Sequence, residues 1–497
     1  MKKKILTSLF VLMLSLFVAV QASAANNTTR LGGQDRFDVS INVSKEGWST
    51  ANTVVLANWD AFGDALAAGP LAYKNNGPLL LTKADSLTPR TKKEIQRLKA
   101  KNVIIVGGPI SVSENIVKEL RGMNISVKRI SGNSRMEVAN NIAKEMGKAS
   151  RVVIADGFNF PDALSIAPWA ARNGYPILLT NNKHNLESST LNLIKSWNVT
   201  QTVISGGPLS VSDQVYKSVP NPKRYGGNSR YEVSANIANA YFKNSSQAFV
   251  TNGQVFADAL TGSVLAAKKN APMLLIQPNN ITGTVQNSII NNGYSKFTIL
   301  GGPVSVSNNI QNKLNGDLVG QTIVVDPGHG GKDPGAVGNS LAEKEIVLDV
   351  SKRVNSKLKD SLAKVVMTRN TDTFVELPDR VKEGEKANAD LFVSIHVNSF
   401  TDPSANGTET YYNSQYVGAE SKALAQEIQK ELVKAMKTND RGVKEAGFYV
   451  IKNSKMPSVL VEIAFISNTN DAKKLASASY RQKAADAIYT GIVNYYK

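Results

Sequence analysis

Three landmarks recur along this chain in a single register, and they limit what it can fold into more than any other feature. RLGGQDRFDVS begins at Arg30, RISGNSRMEVA at Arg129 and RYGGNSRYEVS at Arg224, spacings of 99 and 95 residues. FGDALAAGPLA from Phe62, FPDALSIAPWA from Phe160 and FADALTGSVLA from Phe256 keep the same period, as do the Gly-Gly-Pro turns that open at Gly107, Gly206 and Gly301. Three independent motifs at one period imply a triplicated module. Within each copy, short apolar runs such as 53–56, 78–81 and 103–106 alternate with stretches of helical periodicity such as 91–98. Buried strands alternating with helices predict a parallel sheet covered on both faces, so each copy is expected to be a small α/β module.

The recurring residues admit two readings each. The paired glycines end a strand and precede Ser-Val-Ser, so they could offer backbone N–H groups to an anion or simply turn the chain, with the serines capping the next helix. Arg36, Arg135 and Arg230 occupy equivalent positions; guanidinium forks suit phosphate and carboxylate oxygens, which makes them the candidates for contact with an anionic polymer. Pairing within a module or across a module boundary is the structural alternative for all three. Asp64, Asp162 and Asp258 divide likewise between a helix N-terminus and a ligand contact, and His184, present in one copy only, is expected at the surface. The R-x-x-G-x-x-R, F-x-D-A-L and G-G-P patterns together, over about residues 28–318, resemble the cell wall binding repeat type 2 family. That resemblance implies three Toprim-like modules, at 28–127, 128–222 and 223–318, in a pseudo-threefold arrangement that binds anionic wall polymers such as teichoic acid without covalent attachment. Copy three departs from the others where APMLLIQ replaces the Pro-x-Leu-Leu-Thr ending.

Residues 1–24 carry three lysines, an apolar run from 5 to 20 and Ala22-Ser23-Ala24, the pattern of a secretory signal peptide. The run is shorter than the ~20 residues of a spanning helix, and no later segment is long and apolar enough, so an exported chain without stable membrane insertion is expected. Cysteine is absent, which excludes a disulfide scaffold, a thiolate nucleophile and a Cys-ligated metal, and suits a Gram-positive envelope. The formal charge of +18 is unevenly divided: residues 25–320 hold +13 and residues 321–497 only +2. A basic surplus confined to exported repeats points away from nucleic acid and toward an anionic wall polymer.

From residue 321 the repeats stop and a different α/β pattern begins. A strand, TIVV, runs into DPGHGGKDPGAVG at 326–338; a helix with Ile346, Leu348, Val350 and Val354 apolar follows, then the strands KVVMTR at 364–369 and LFVSIHVNS at 391–399, an amphipathic run at 419–436 and a last strand in SVLVEIAFISN at 458–468. The alternation predicts a mostly parallel sheet with its ligand beyond the carboxyl ends of the strands, where His329 and His396 fall. Neutral imidazole is the commonest zinc ligand, and a catalytic zinc takes three protein ligands. Glu343 and Glu345 both qualify as the third by position. Glu462 is conspicuous as a carboxylate within an apolar strand.

DPGHGGKDPGA, LAEKEIVLDVSKRV, TRNTD, SIHVNS and VEIAFISN, in that order, are similar to the zinc-dependent N-acetylmuramoyl-L-alanine amidase family known as amidase 3. The resemblance covers residues 321–497 and implies one Zn2+ on His329, Glu343 and His396, with Glu462 as the catalytic acid/base. It also implies a peptidoglycan hydrolase of the autolysin kind, cutting the amide between N-acetylmuramic acid and L-alanine. Asn398 is expected to orient substrate or a ligand, or to cap its loop; Arg369 and Arg380 are expected to meet stem-peptide carboxylates, to support the site from behind, or to pair on the surface. Two other functions compete: a surface-layer or adhesion protein whose C-terminal domain is inert, and a zinc peptidase cutting within the stem peptide.

Overall fold

The computed structural model describes residues 28–181 and 185–497; the expected signal segment at 1–24 and His184 lie outside the described residues. Each repeat module is built on a four-stranded, all-parallel sheet. In the first the strand order is Leu79–Thr82, Thr53–Asn58, Asn102–Val106, Ser126–Ile130; in the second it is Ile177–Thr180, Arg151–Asp156, Gln201–Ser205, Pro222–Tyr225. The third sheet is completed from the start of the chain. Met273–Ile276, Gln247–Asn252 and Lys296–Leu300 are followed by Thr28–Leu31, paired in parallel from Thr28↔Phe297 to Leu31↔Leu300. Sheets and sequence copies are thus offset: each fourth strand is the opening segment of the next copy, and Ser126–Ile130 straddles residues 127 and 128. The three modules close into a ring rather than an open stack.

At the centre of that ring the three F-x-D-A-L phenylalanines meet. Phe62, Phe160 and Phe256 lie with ring centroids 5.4 to 6.0 Å apart, and the helices Ala68–Lys74, Pro161–Arg172 and Ala257–Lys268 pack on one another around them. The expected pseudo-threefold arrangement is therefore carried by one residue from each copy. The other motifs are local devices. Asp35, Ser134 and Ser229 each accept backbone N–H bonds at the N-cap of the helix that follows. In the Gly-Gly-Pro turns the first glycine has φ of +110°, +121° and +107° at Gly107, Gly206 and Gly301. A Cβ there would come within 2.7 Å of Asp64, Asp162 or Asp258, so only glycine fits. The N–H of that glycine already donates to Ile130, Tyr225 or Leu31 and a carboxylate crowds the turn, so the first glycine of each pair serves a tight turn rather than an anion. The three aspartates sit in the first turn of their helices, and Asp162 and Asp258 accept from Ser210 and Ser305.

The C-terminal domain has a six-stranded sheet in the order Lys364–Met367, Thr322–Pro327, Leu391–Asn398, Ser458–Phe465, Thr408–Tyr412, Asp440–Glu445, parallel except where Thr408–Tyr412 runs against Ser458–Phe465. The long helices Glu343–Asp360, Gly418–Met436 and Ala478–Tyr495 cover one face, burying Val325, Val393, Ile395, Val461 and Ile463. The other face is covered only in part, by Leu377–Lys386 and Tyr449–Asn453 over Val324, Phe392 and Leu460. Residues 326, 394, 396 and 462 follow on that second face by the two-residue alternation of strands; the short helices reach as far as Asp326, which Arg380 pairs, and leave His396 and Glu462 beyond them. That is where the sheet opens.

The join to the repeats is short and packed. Leu318 enters the core of the C-terminal domain, whereas Val319 and, from the far side, Leu362 enter the core of the third module. Gln286 Nε2 donates to the Lys359 carbonyl at 2.6 Å across the same boundary. Among the described residues no helix is long and apolar enough to cross a membrane.

Candidate metal centre and active site

The loop after Thr322–Pro327 carries His329 in a left-handed conformation, φ +57°. It passes so close to His396 that a Cβ on Gly328 would lie 2.2 Å from the imidazole, so glycine is what allows the two rings to approach. They meet edge to face, centroids 5.0 Å apart. Glu343 opens the helix Glu343–Asp360, where the helix N-terminus favours a carboxylate, and it is buried. Its Oε1 lies 3.2 Å from His329 Nε2 and 3.0 Å from His396 Nδ1, and one ligand atom from each of the three residues falls within 4.8 Å of the others. Bonds of about 2.1 Å in a tetrahedral zinc site put neighbouring donors roughly 3.4 Å apart, so the donor set fits. Glu345 is exposed and outside this cluster.

The surroundings aim these donors. Val397 N–H donates to Glu343 Oε1 at 3.0 Å and Ala336 N–H to Oε2 at 2.8 Å. His329 Nδ1 is 2.8 Å from Asp333 Oδ2, leaving Nε2 directed at Glu343. A carboxylate behind a histidine sets its tautomer and orientation in metal sites. Burial alone would raise the Glu343 carboxyl, but hydrogen bonds to His329 and His396 outweigh it and hold the group far below the usual carboxylate range. Burial would likewise lower His329, and its bonds to Glu343 and Asp333 raise it instead.

Arg369 and Arg380 are only 3% and 2% exposed, which removes both surface pairing and contact with a stem peptide. They hold the His329 loop from behind. Arg369 donates to the carbonyls of Pro327, Gly328, Lys344 and Thr371; Arg380 donates to those of Val375, Pro327 and His329 and pairs with Asp326 at 2.8 Å. Asp326 also accepts from Thr368 and Ser394. Arg380→Met is expected to destabilise the domain by about 3–5 kcal/mol, because Asp326 would stay buried without its partner. Denaturant unfolding of the purified variant checks this, and a wild-type midpoint would refute it.

Glu462 neighbours His396 in the parallel pairing of Leu391–Asn398 with Ser458–Phe465. Its Oε2 is buried and has no hydrogen-bond partner among the described residues. Burial, then the like charges of Glu343 and Glu409, push its pKa well above the ordinary carboxylate value. An orphaned carboxylate with a raised pKa beside a cation site is suited to general acid/base work. Asn398 does not cap its loop in isolation: its Nδ2 donates to Glu409 at 2.6 Å and its Oδ1 accepts from Ser399 N–H. Sequence reasoning missed Asp333, Asp326 and Glu409. Asp333 lies four residues beyond His329, and Glu409, like Glu462, is a carboxylate in an otherwise β-rich run; those were the available signals.

The recurring arginines lie at module boundaries. Arg135 stacks on Phe62 and Phe158 and donates to the Gly157 carbonyl; Arg230 stacks on Phe160 and donates to that of Gly253; Arg36 lies over Trp59. All three are half-buried. Arg36 lines a cleft of about 620 Å³ between the first and third modules, together with Asn252, Phe256 and Asp258, and Arg230 lines a smaller one between the second and third.

An α/β fold with a His, Glu, His donor cluster at its open sheet end, joined to a closed ring of repeats, defines the class as a repeat-bearing protein with a candidate catalytic metal centre. Residues 323–494 match the family model described as N-acetylmuramoyl-L-alanine amidase, and residues 30–117, 129–216 and 224–311 match Cell wall binding domain 2 (CWB2). The chain is 46% identical to the N-acetylmuramoyl-L-alanine amidase LytC of Bacillus subtilis (strain 168) over 494 residues, 99% of each chain. Among solved structures it resembles Cwp6 from Clostridium difficile, at 30% identity and TM-score 0.54, over 95% of this chain and 80% of that one, and Cwp8 from the same organism, at 30% identity and TM-score 0.53, over 57% and 51%. The chain belongs to the N-acetylmuramoyl-L-alanine amidases that carry three cell wall binding repeats. It is an autolysin-type hydrolase that acts on peptidoglycan in association with the extracellular cell wall.

Proposed function

We propose that the chain is a zinc-dependent autolysin of a Gram-positive envelope, held on the wall by its repeats, with His329, Glu343 and His396 as the metal set and Glu462 as the acid/base. A zinc ion there supplies Lewis-acid polarisation of the scissile carbonyl and lowers the pKa of the attacking water. Glu343 and the two histidines hold the donor geometry, stiffened by Asp333 and by the loop carbonyls gathered on Arg369 and Arg380. Glu462 takes the proton of the attacking water through its unpartnered oxygen and delivers it to the departing L-alanine amine. The observation that carries this reading is the buried, partnerless Oε2 of Glu462 next to His396.

Digestion of peptidoglycan with metal-free and zinc-reconstituted protein, followed by end-group analysis, tests it. New L-alanine amino termini that depend on zinc support the reading. Cleavage between amino acids would instead make the protein a stem peptidase, and release of labelled wall that survives both chelation and Glu462→Ala would remove zinc chemistry altogether. Anchoring is proposed to rest on an anionic polymer, teichoic acid or a similar chain, with Arg36, Arg135 and Arg230 at the module boundaries as contacts. The surplus of +13 on residues 25–320 supports this. Retention of the full-length Glu462→Gln protein on isolated walls is then expected to weaken as salt rises; retention indifferent to salt would overturn the electrostatic basis of anchoring.

A further inference from the structure

The sheet face that carries His396 and Glu462 continues onto its last two strands, where a second set of charged groups is gathered. Glu409 pairs directly with Glu462 across the antiparallel strands, so the two side chains rise on the same face. Its carboxylate is almost wholly buried and fully engaged. Oε1 accepts from Asn398 Nδ2 at 2.6 Å and from the Tyr411 hydroxyl at 2.8 Å, while Oε2 accepts from Arg441 Nε at 2.8 Å and Lys444 Nζ at 2.5 Å.

Arg441 and Lys444 are three residues apart on the edge strand Asp440–Glu445 and would leave opposite faces of a regular strand. The pairing slips between Thr408 and Thr410, and Gly442 takes φ +79°. This bulge brings both cations to one carboxylate, and bulges at sheet edges recur beside active sites because they re-aim side chains. Neutralising Glu409 takes one cation, so one positive charge is left over beside that carboxylate. The guanidinium of Arg441 lies 4.8 Å from the Phe465 ring centroid. Its two terminal nitrogens donate to no acceptor among the described residues, and about a third of the side chain is exposed, 32%. A fork fixed at Nε with both outer nitrogens available is suited to a planar carboxylate.

We propose that Arg441 and Lys444, held by Glu409, form the subsite for a carboxylate of the stem peptide just beyond the scissile amide, with Glu409 as the positioning residue that sets both cations and Asn398. The proposal rests on the amidase site centred on Glu462. The substrate carries the matching group, since the residue after L-alanine is a glutamyl unit linked through its γ-carboxyl, whose α-carboxyl is free or amidated.

The test uses the zinc-loaded full chain and two synthetic substrates, N-acetylmuramoyl-L-alanyl-D-glutamate and its D-isoglutamine form, which differ only in that α-carboxyl. Wild-type protein is expected to cut the free acid with kcat/KM roughly tenfold higher, through KM, as one charge-assisted bidentate contact implies. Arg441→Gln is expected to bring that ratio near one, and Arg441→Lys to keep part of it. Because Glu409 is buried, loss of a cation can unfold the edge strand, so the compensated pair Arg441→Met with Glu409→Gln is measured alongside and must also lose the ratio. Equal efficiency of the wild type on both substrates, or a ratio unchanged in the folded variants, overturns the subsite. Failure of the underlying amidase reading looks different: neither substrate then releases an L-alanyl amino terminus, and the subsite falls with it.

Discussion

Replacing Glu462 by glutamine is expected to lower the rate of amide cleavage on the order of 10³-fold or more while leaving the fold and the metal content intact. A positioned general acid/base contributes roughly 10²–10⁴-fold, and glutamine keeps the shape while losing the proton-accepting oxygen. The same variant carries a second signature in stability. Burial and the charges of Glu343 and Glu409 raise the Glu462 pKa in the folded chain. As pH climbs past the unfolded value of 4.5, the unfolded state releases the proton that the folded state keeps. Stability therefore falls as pH rises from that value toward the raised one, and is flat beyond it. In chelator, the wild-type melting temperature should decline over this interval by an amount that Glu462→Gln abolishes. Parallel pH profiles for the two proteins, or a variant retaining a tenth of the wild-type rate, would show that Glu462 is not the proton carrier.

Much of this architecture is legible in the residues themselves, and the limits are physical. Three motifs at one period reveal three modules because each central Phe, capping Asp or Ser, and turn glycine recurs where the same local problem recurs. Ring closure is not legible, since Thr28–Leu31 has the same motif as its counterparts and nothing local says that its partner is Lys296–Leu300. His329 and His396 stand out by their strand ends. By position Glu343 and Glu345 are equivalent; the family resemblance favours Glu343, and burial, which depends on how the helix seats against the sheet, separates the two. Arg369 and Arg380 stay open between substrate, supporting and surface roles in the sequence because a buried guanidinium is recognisable only once the carbonyls it gathers are in place. Glu409 escapes for a related reason: its partners Asn398, Arg441 and Lys444 are drawn from three strands and a bulge.

Chelation is expected to abolish cleavage and to destabilise the C-terminal domain together, with zinc restoring both. A ligand present at a thousandfold excess over its Kd stabilises the folded state by about 4 kcal/mol, which for a domain of this size is on the order of 10 °C in melting temperature. Glu343→Ala should remove that shift as well as the activity, because Oε1 is the donor shared between His329 and His396. Asp333→Ala separates orientation from ligation: it leaves all three donors but frees His329 Nδ1, and a lost orienting partner costs roughly 10–100-fold in metal affinity. The pH dependence has a defined sign. Hydrogen bonds to Glu343 and Asp333, working against burial, raise His329 above its ordinary value of 6.5, so protons compete with metal at this ligand throughout the acid range. Affinity should weaken as pH falls through that raised value, and Asp333→Ala should move the midpoint downward. Zinc titrations of wild type and both variants between pH 5 and 8, read by calorimetry rather than by turnover, decide the matter. An unchanged affinity in Glu343→Ala would remove this carboxylate from the metal set, and an unchanged midpoint in Asp333→Ala would remove the orienting role of Asp333.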